Sequence, residues 1–202
     1  MKKIILFCIL FLFAYCTPKQ EQLPYLGDPI KKGNKIDYPT ISPFRFLDQE
    51  GELVTNSTLR SKIYIADFIF LKCPTICPKM NMQLKRVYDV FEKDNEIIFV
   101  SHTIDPENDS IPALKAYADA LNVKTNKWLF LYGQKKEVYE LAEKSYYAKA
   151  YKDQTAPGGY VHSGGFLLVD KKGHIRGVYD GTDTKDVDRL IKEIIILKKE
   201  IR

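Results

Sequence analysis

Residues 64–80 read Tyr64-Ile65-Ala66-Asp67-Phe68-Ile69-Phe70-Leu71-Lys72-Cys73-Pro74-Thr75-Ile76-Cys77-Pro78-Lys79-Met80, an apolar run that ends in two cysteines, each followed by a proline. β-Branched and aromatic residues dominate the run, as a buried central strand requires. Pro74 and Pro78 limit where the next helix can begin, because proline is accepted in a first turn and breaks an interior. The stretch therefore reads as a strand that hands a dithiol to the start of a helix. In a roughly helical turn positions i and i+4 are neighbours, so the sulfurs of Cys73 and Cys77 face one side. There they can share a metal ion or form a disulfide, and the helix dipole favours the thiolate that ligates or attacks. A disulfide that only stapled so short a loop would remove little chain entropy.

The chain on either side alternates in type. Before the central strand (62–70), residues 44–47 and 52–55 flank Asp48-Gln49-Glu50-Gly51 and predict a hairpin with glycine in its turn. After it, Met80, Leu84, Val87, Tyr88 and Phe91 recur at helical spacing and predict a helix over 79–91 whose apolar face is core. A second buried strand over 97–101 runs into His102, and Asp109 or Ser110 is placed to cap a helix through Leu121. A third strand (127–132), a helix (135–147) and a loop (149–161) containing Pro157-Gly158-Gly159 come next. Strands over 165–169 and 174–179, joined through Asp170-Lys171-Lys172-Gly173, precede a final helix from 184 or 185 to the end. This order predicts an α/β fold: a thioredoxin-like mixed sheet with helices on both faces and an N-terminal β-hairpin extension.

The proline-rich, polar segment after residue 16 reads as a tether and irregular arm, so the expected division is 1–15, 16–42 and 43–202. Lys2 and Lys3 precede the apolar run 4–15, which is shorter than a membrane span of about 20 residues and suits the core of an export signal. Cys16 at its end resembles the lipid acceptor of a bacterial lipoprotein signal, with Tyr15 where Gly, Ala or Ser is usual. The protein is thus expected outside the cytoplasm, held to a membrane by a lipid and facing the periplasm or cell exterior. Of the four cysteines, Cys8 lies in the signal core and Cys16 is the lipid site, so Cys73 and Cys77 are the pair left in the exported body. Such a pair is redox-active or metal-binding. The net charge of +5 is mild, and lysines interleave with acids, as in Lys198-Lys199-Glu200, which excludes a nucleic-acid stripe.

Two thiolates are a poor closed metal site, so a third ligand is expected among His102, His162 and His174. His174 follows Gly173 and reads as a half-exposed strand residue. His102 ends a strand on the side where Cys73 emerges, as a site neighbour or as a capping or packing residue. His162 lies between Pro157-Gly158-Gly159 and Gly164-Gly165, and glycines let its backbone approach another loop closely. In a thioredoxin-like order that loop packs beside the dithiol, which makes His162 the expected ligand. Thiolates select copper(I), zinc or iron–sulfur chemistry, imidazole also accepts copper(II), and zinc prefers a fourth ligand, so copper is the expected metal. Metal-free thiol–disulfide exchange is the competing chemistry, although familiar oxidoreductases place two residues between their cysteines and this chain places three.

Cys73-Pro74-Thr75-Ile76-Cys77-Pro78 resembles the dithiol signature of the Sco (SenC) family of copper-binding proteins. Ser101 to Asp109, around Asp105-Pro106-Glu107, is similar to the family's second motif, and His162-Ser163 with Phe166-Leu167-Leu168-Val169-Asp170 to its histidine motif. The resemblance implies a thioredoxin-like fold, copper held by Cys73, Cys77 and His162, and delivery of copper to, or thiol reduction in, the dinuclear copper centre of cytochrome oxidase. The implied partner is the oxidase's copper-bearing subunit or a similar recipient; the alternative is a thiol–disulfide oxidoreductase acting on an exported or membrane protein. Many members carry an acid just before the histidine, where this chain has Val161, so no carboxylate from that position orients the imidazole. Asp105 and Glu107 read as supporting loop residues.

Overall fold

The computed structural model describes residues 21–200. In chain order its strands are β1 (Ile30–Lys32), β2 (Lys35–Asp37), β3 (Arg45–Leu47), β4 (Leu53–Thr55), β5 (Ile63–Ile69), β6 (Ile97–Thr103), β7 (Trp128–Leu131), β8 (Ala150–Lys152), β9 (Tyr160–His162), β10 (Gly165–Val169) and β11 (Ile175–Asp180). Its α-helices are α1 (Asn56–Leu59), α2 (Ile76–Phe91), α3 (Ile111–Ala120), α4 (Lys135–Lys144) and α5 (Thr184–Glu200).

The apolar run becomes β5, the middle strand of a sheet ordered β11-β10-β5-β6-β7. β5, β6 and β7 are parallel, whereas β10 pairs antiparallel with both β5 and β11. Parallel neighbours require crossovers, and α2 and α3 supply them. Every residue of β5 is buried because both faces of the sheet are covered. Ile63, Ile65 and Ile69 point to one face, where Leu84 of α2, Leu114 of α3 and Leu190 of α5 pack with Phe99 and Trp128. Tyr64, Ala66 and Phe68 point to the other, against Val138 and Leu141 of α4 and Phe46 and Val54 of the β3–β4 hairpin. Each such side chain contributes about 1.5–3 kcal/mol on full burial, so these two layers hold the platform from which the dithiol emerges.

The structure's main departures from the sequence-based expectation are five. α2 begins at Ile76, before residue 79, with Pro78 in its first turn, where a missing N–H costs no helical bond. β6 continues to Thr103, so His102 is a sheet residue rather than a strand end. The expected loop 149–161 contains β8, and β9 pairs with it antiparallel, Ala150 opposite His162, around the 3-10 turn Pro157–Gly159. Ser110 occupies the cap position of α3, but neither it nor Asp109 caps the helix through a side chain.

The fifth difference is the arm. Its residues 30–37 form the β1–β2 hairpin, and its ends are docked: Leu26 and Ile41 donate backbone hydrogen bonds of 2.9 Å to Ile175 and Gly173. Buried Arg176 donates to the carbonyls of Leu23 and Pro24 and pairs with Asp170 and Glu200, while Tyr25 lies over its guanidinium at 4.1 Å. One cation thereby ties the arm, the β10–β11 hairpin and the end of α5 together. No helix among the described residues is long and apolar enough to cross a membrane. The export signal and Cys16 lie outside the described residues.

Candidate metal centre

β5 ends at Ile69, and the chain turns at Phe70, whose carbonyl accepts the Cys73 N–H at 3.2 Å. Cys77 then lies in the first turn of α2, where the backbone N–H groups have no helical acceptor. The cap residue Thr75 leaves those donors uncapped by its side chain, and its hydroxyl lies 3.8 Å from the Cys73 sulfur instead. Burial opposes ionisation of Cys73, but hydrogen bonds from the Cys77 thiol, the Thr75 and Cys77 N–H groups and the Thr75 hydroxyl outweigh it and pull its pKa below the ordinary thiol value. Cys77 moves the other way, raised by burial and then by the Cys73 sulfur, with the Asp67 carboxylate adding to the effect. Both thiols are free.

His162 arrives on β9, and the close approach expected from its glycines is visible at Gly158. That residue has φ +78°, and a Cβ there would meet Phe70 and Pro74 at 2.8 and 2.9 Å, so only glycine lets this turn lie on the dithiol loop. The imidazole meets the Phe70 ring edge-on, with centroids 5.7 Å apart. Its Nδ1 is 3.3 Å from the Ser163 carbonyl, an obligate acceptor, so Nδ1 carries the proton. Nε2 therefore turns its lone pair toward the Cys77 sulfur 3.2 Å away. A backbone carbonyl, and not a carboxylate at position 161, thus fixes the tautomer. Burial holds the His162 pKa below the ordinary histidine value, against the Ser163 hydrogen bond, which keeps the ring a neutral donor.

The donor atoms of Cys73, Cys77 and His162 lie within 4.8 Å of one another, and none of the three residues is more than 9% exposed. Two sulfurs and one neutral imidazole nitrogen at that spacing fit a soft, low-coordinate ion such as copper(I) and do not fit magnesium or calcium. The other histidines are elsewhere. His102 is fully buried among Phe44, Phe46, Phe68 and Tyr146, and neither ring nitrogen has a hydrogen-bond partner. It is the packing residue of the alternatives the sequence left open. His174 is partly exposed and bonds the Pro39 carbonyl through Nδ1 at 3.1 Å.

Around the centre, Tyr160 and Asp67 carried no signal of it in the sequence, while Asp105 and Asp109 read only as a supporting loop residue and a helix cap. Tyr160 donates to Asp105 at 2.6 Å, which moors the histidine strand to the turn after β6. Asp109 accepts from Thr103 at 2.6 Å and from the Leu71 N–H at 3.1 Å, which moors the dithiol loop to the same turn. Aspartates before a helix ordinarily cap it, so their spacing gave a different signal. Asp67, inside the strand pattern, is fully buried with its Oδ2 unpartnered; burial raises its pKa to about 7 against the 2.5 Å hydrogen bond that Ser101 donates.

The SCO1/SenC family profile matches residues 33–197. The chain belongs to the SCO1/SenC family. The SCO1 protein homolog of Bacillus subtilis (strain 168) is 31% identical over 156 residues, 76% of this chain and 80% of that protein. Among solved structures, a SCO1/SenC family lipoprotein from Bacillus anthracis str. Ames superposes with TM-score 0.72 at 25% identity, covering 79% of this chain and 95% of that one. BsSco, described as having a disulfide switch and as a member of the Sco family of cytochrome c oxidase assembly proteins, gives TM-score 0.71 at 28% identity over 88% of this chain and 98% of its own. Yeast Sco1 with copper bound gives 0.61 at 26% identity, over 77% and 88%. The thioredoxin-like sheet with its N-terminal hairpin is thus the Sco-family fold, as the motifs implied.

Proposed function

We propose that this protein is a copper metallochaperone for assembly of the dinuclear copper centre of cytochrome c oxidase, holding copper through Cys73, Cys77 and His162. The observation that carries this reading is the convergence of those three donors within 4.8 Å at one end of a Sco-family sheet. Copper here is cargo. Its binding requires both sulfurs reduced and the Cys77 proton displaced, so oxidation of the pair to a disulfide removes two donors and releases the ion. The Nδ1–H bond to Ser163 keeps Nε2 aimed at the Cys77 sulfur, where it would serve as the third donor.

Residues 1–15 act as the export signal and Cys16 as the lipid-bearing anchor, with the folded body outside the cytoplasm; the lipoprotein description of the Bacillus anthracis relative supports this assignment. The recipient is the copper-bearing oxidase subunit. A thiol–disulfide oxidoreductase is the second reading, favoured by the asymmetry of the pair, since the acidified Cys73 suits attack and the protonated, buried Cys77 suits resolution. Copper content and thiol count after anaerobic reduction and loading separate the two. Tight copper in the parent and a weakened site in His162→Ala support the chaperone. No retained copper, with rapid reduction of a partner disulfide that survives His162→Ala, supports the oxidoreductase.

A further inference from the structure

β5, β6 and β7 run parallel and the dithiol follows the last residues of β5, so the turns that lead into these strands gather at the opposite end of the sheet. A cleft of about 470 Å³ opens there between Lys62, Lys93, Lys124 and Lys127, with Glu92 the acid in its wall. A second cleft, of about 560 Å³, takes in Arg60, Lys171 and Lys172, with Asp170 the acid in its wall. The segment 60–62 joins the two: the Ser61 N–H donates to the Lys171 carbonyl at 3.4 Å and Lys62 Nζ to the Asn95 carbonyl at 2.7 Å. The acids of this end are paired within the chain. Glu92 meets Lys124 at 2.8 Å, Asp94 meets Lys198, Glu96 meets Lys171, and Asp170 and Glu200 meet buried Arg176. Asp89, one turn before Lys93, meets Lys85, and Glu50 at the rim meets Lys115. Lys127 donates to the carbonyls of Asp94 and Ile97, which do not cancel its charge. Among the described residues Arg60, Lys62, Lys93 and Lys172 have no carboxylate within ion-pair distance.

The arm joins the body at the same end. The Leu23 N–H donates to Glu200 and the Leu23 carbonyl accepts from Arg176, while Lys198, on the same last turn of α5, reaches Asp94 in the turn that carries Lys93. Residues 17–22 separate Leu23 from Cys16, a reach of at most about 25 Å for seven Cα steps. A lipid on Cys16 therefore holds this end, and no other polyanion, next to a bilayer. We propose that this end of the body rests on the membrane, with Arg60, Lys62, Lys93 and Lys172 against the phosphates of anionic phospholipids, so that Cys73, Cys77 and His162 point away from the bilayer. The cations come from three separate turns and spread over a face, which suits a surface of headgroups better than a single bound anion. Such a surface attracts cations within about one Debye length, roughly 10 Å at moderate salt. The seven residues of β5, at about 3.3 Å each, set the metal centre roughly 20 Å farther out. The reading rests on the lipid anchor proposed above and adds the orientation that the anchored body takes.

Trp128, the chain's single tryptophan, follows Lys127 and serves as a built-in probe of this end. The protein purified from membranes is placed in nanodiscs of phosphatidylcholine, or of phosphatidylcholine with phosphatidylglycerol, each carrying a dansyl headgroup lipid. Energy transfer from Trp128 to dansyl is expected to be at least about twofold higher on the anionic discs at low ionic strength and to fall to the neutral value in high salt. Arg60→Glu, Lys93→Glu and Lys172→Glu together remove the difference. All three side chains are exposed, so the fold survives, and an unchanged Tm checks this. Lys72→Glu with Lys79→Glu, exposed positions beside the dithiol, leaves the difference in place. Equal transfer on the two discs, a difference that survives the triple variant, or one lost in the Lys72 and Lys79 variant overturns the orientation. Flotation with neutral vesicles reads the anchor separately. A chain that fails to float has no lipid anchor, and the anionic preference of its energy transfer still decides whether the basic end docks.

Discussion

The strands carrying His102 and His162 make a controlled comparison. Both histidines are buried, both have aromatic neighbours including a phenylalanine, and burial lowers the pKa of both. Yet His102 presents two unpartnered nitrogens to hydrocarbon, whereas His162 has a carbonyl at Nδ1 and a thiol at Nε2. A buried imidazole becomes a ligand when its second nitrogen is held by an acceptor and its first is aimed at another donor; burial alone makes it a packing residue.

The largest expected effect removes a partner of His162. Cys73→Ala or Cys77→Ala abolishes copper retention, because one sulfur and one nitrogen no longer outcompete solution thiols; metal analysis after gel filtration reads this out. His162→Ala weakens copper by about two orders of magnitude, or about 3 kcal/mol, with little change in Tm. The same truncation at His102 inverts the pattern: about 2–4 kcal/mol of stability is lost to the cavity while copper stoichiometry is kept, measurable by urea unfolding of the reduced protein. Equal effects on copper from both substitutions would erase the distinction.

A smaller effect concerns pH. The His102 pKa is lowered to about 3 by burial, so between roughly 6.5, the unfolded value, and 3 the unfolded chain binds the extra proton. Its contribution is complete above pH 6.5 and is lost as pH falls, by about 1.4 kcal/mol per unit. Asp67, raised to about 7, has the opposite sign: it favours the fold at low pH and loses that contribution as pH rises from about 4 to 7. His102→Leu removes the first slope and also the unpartnered nitrogens, so it should cost less than about 1 kcal/mol at pH 7 and leave the protein relatively more acid-stable. Unfolding midpoints at pH 5 and 7 test this, and an unchanged pH slope contradicts it. The smallest expected effect is Tyr160→Phe, which frees the histidine strand from Asp105 and weakens copper roughly tenfold, with copper competition as the measurement.

The fold and the convergence of Cys73, Cys77 and His162 were legible because their signals are dense. Helical spacing in 80–91, the uninterrupted run before Cys73 and the glycines around His162 each constrain several residues at once. The β8–β9 hairpin was not, because strands of three residues such as Ala150–Lys152 and Tyr160–His162 are too short to show alternation. His102 was ambiguous because a strand buried on both faces loses the period that would orient its side chains. The docking of the arm rests on isolated residues, Leu23 and Ile41, and on Arg176, a cation 153 positions from Leu23 in the chain, which no local pattern announces.

The most direct test of the metal centre is X-ray absorption at the copper edge of the anaerobically reduced, copper-loaded protein, beside His162→Ala and His102→Leu. A single copper per chain with two sulfurs and one imidazole in its shell, the imidazole lost in His162→Ala and kept in His102→Leu, is the predicted result. A shell without sulfur, or one unchanged in His162→Ala, would contradict the three-ligand centre.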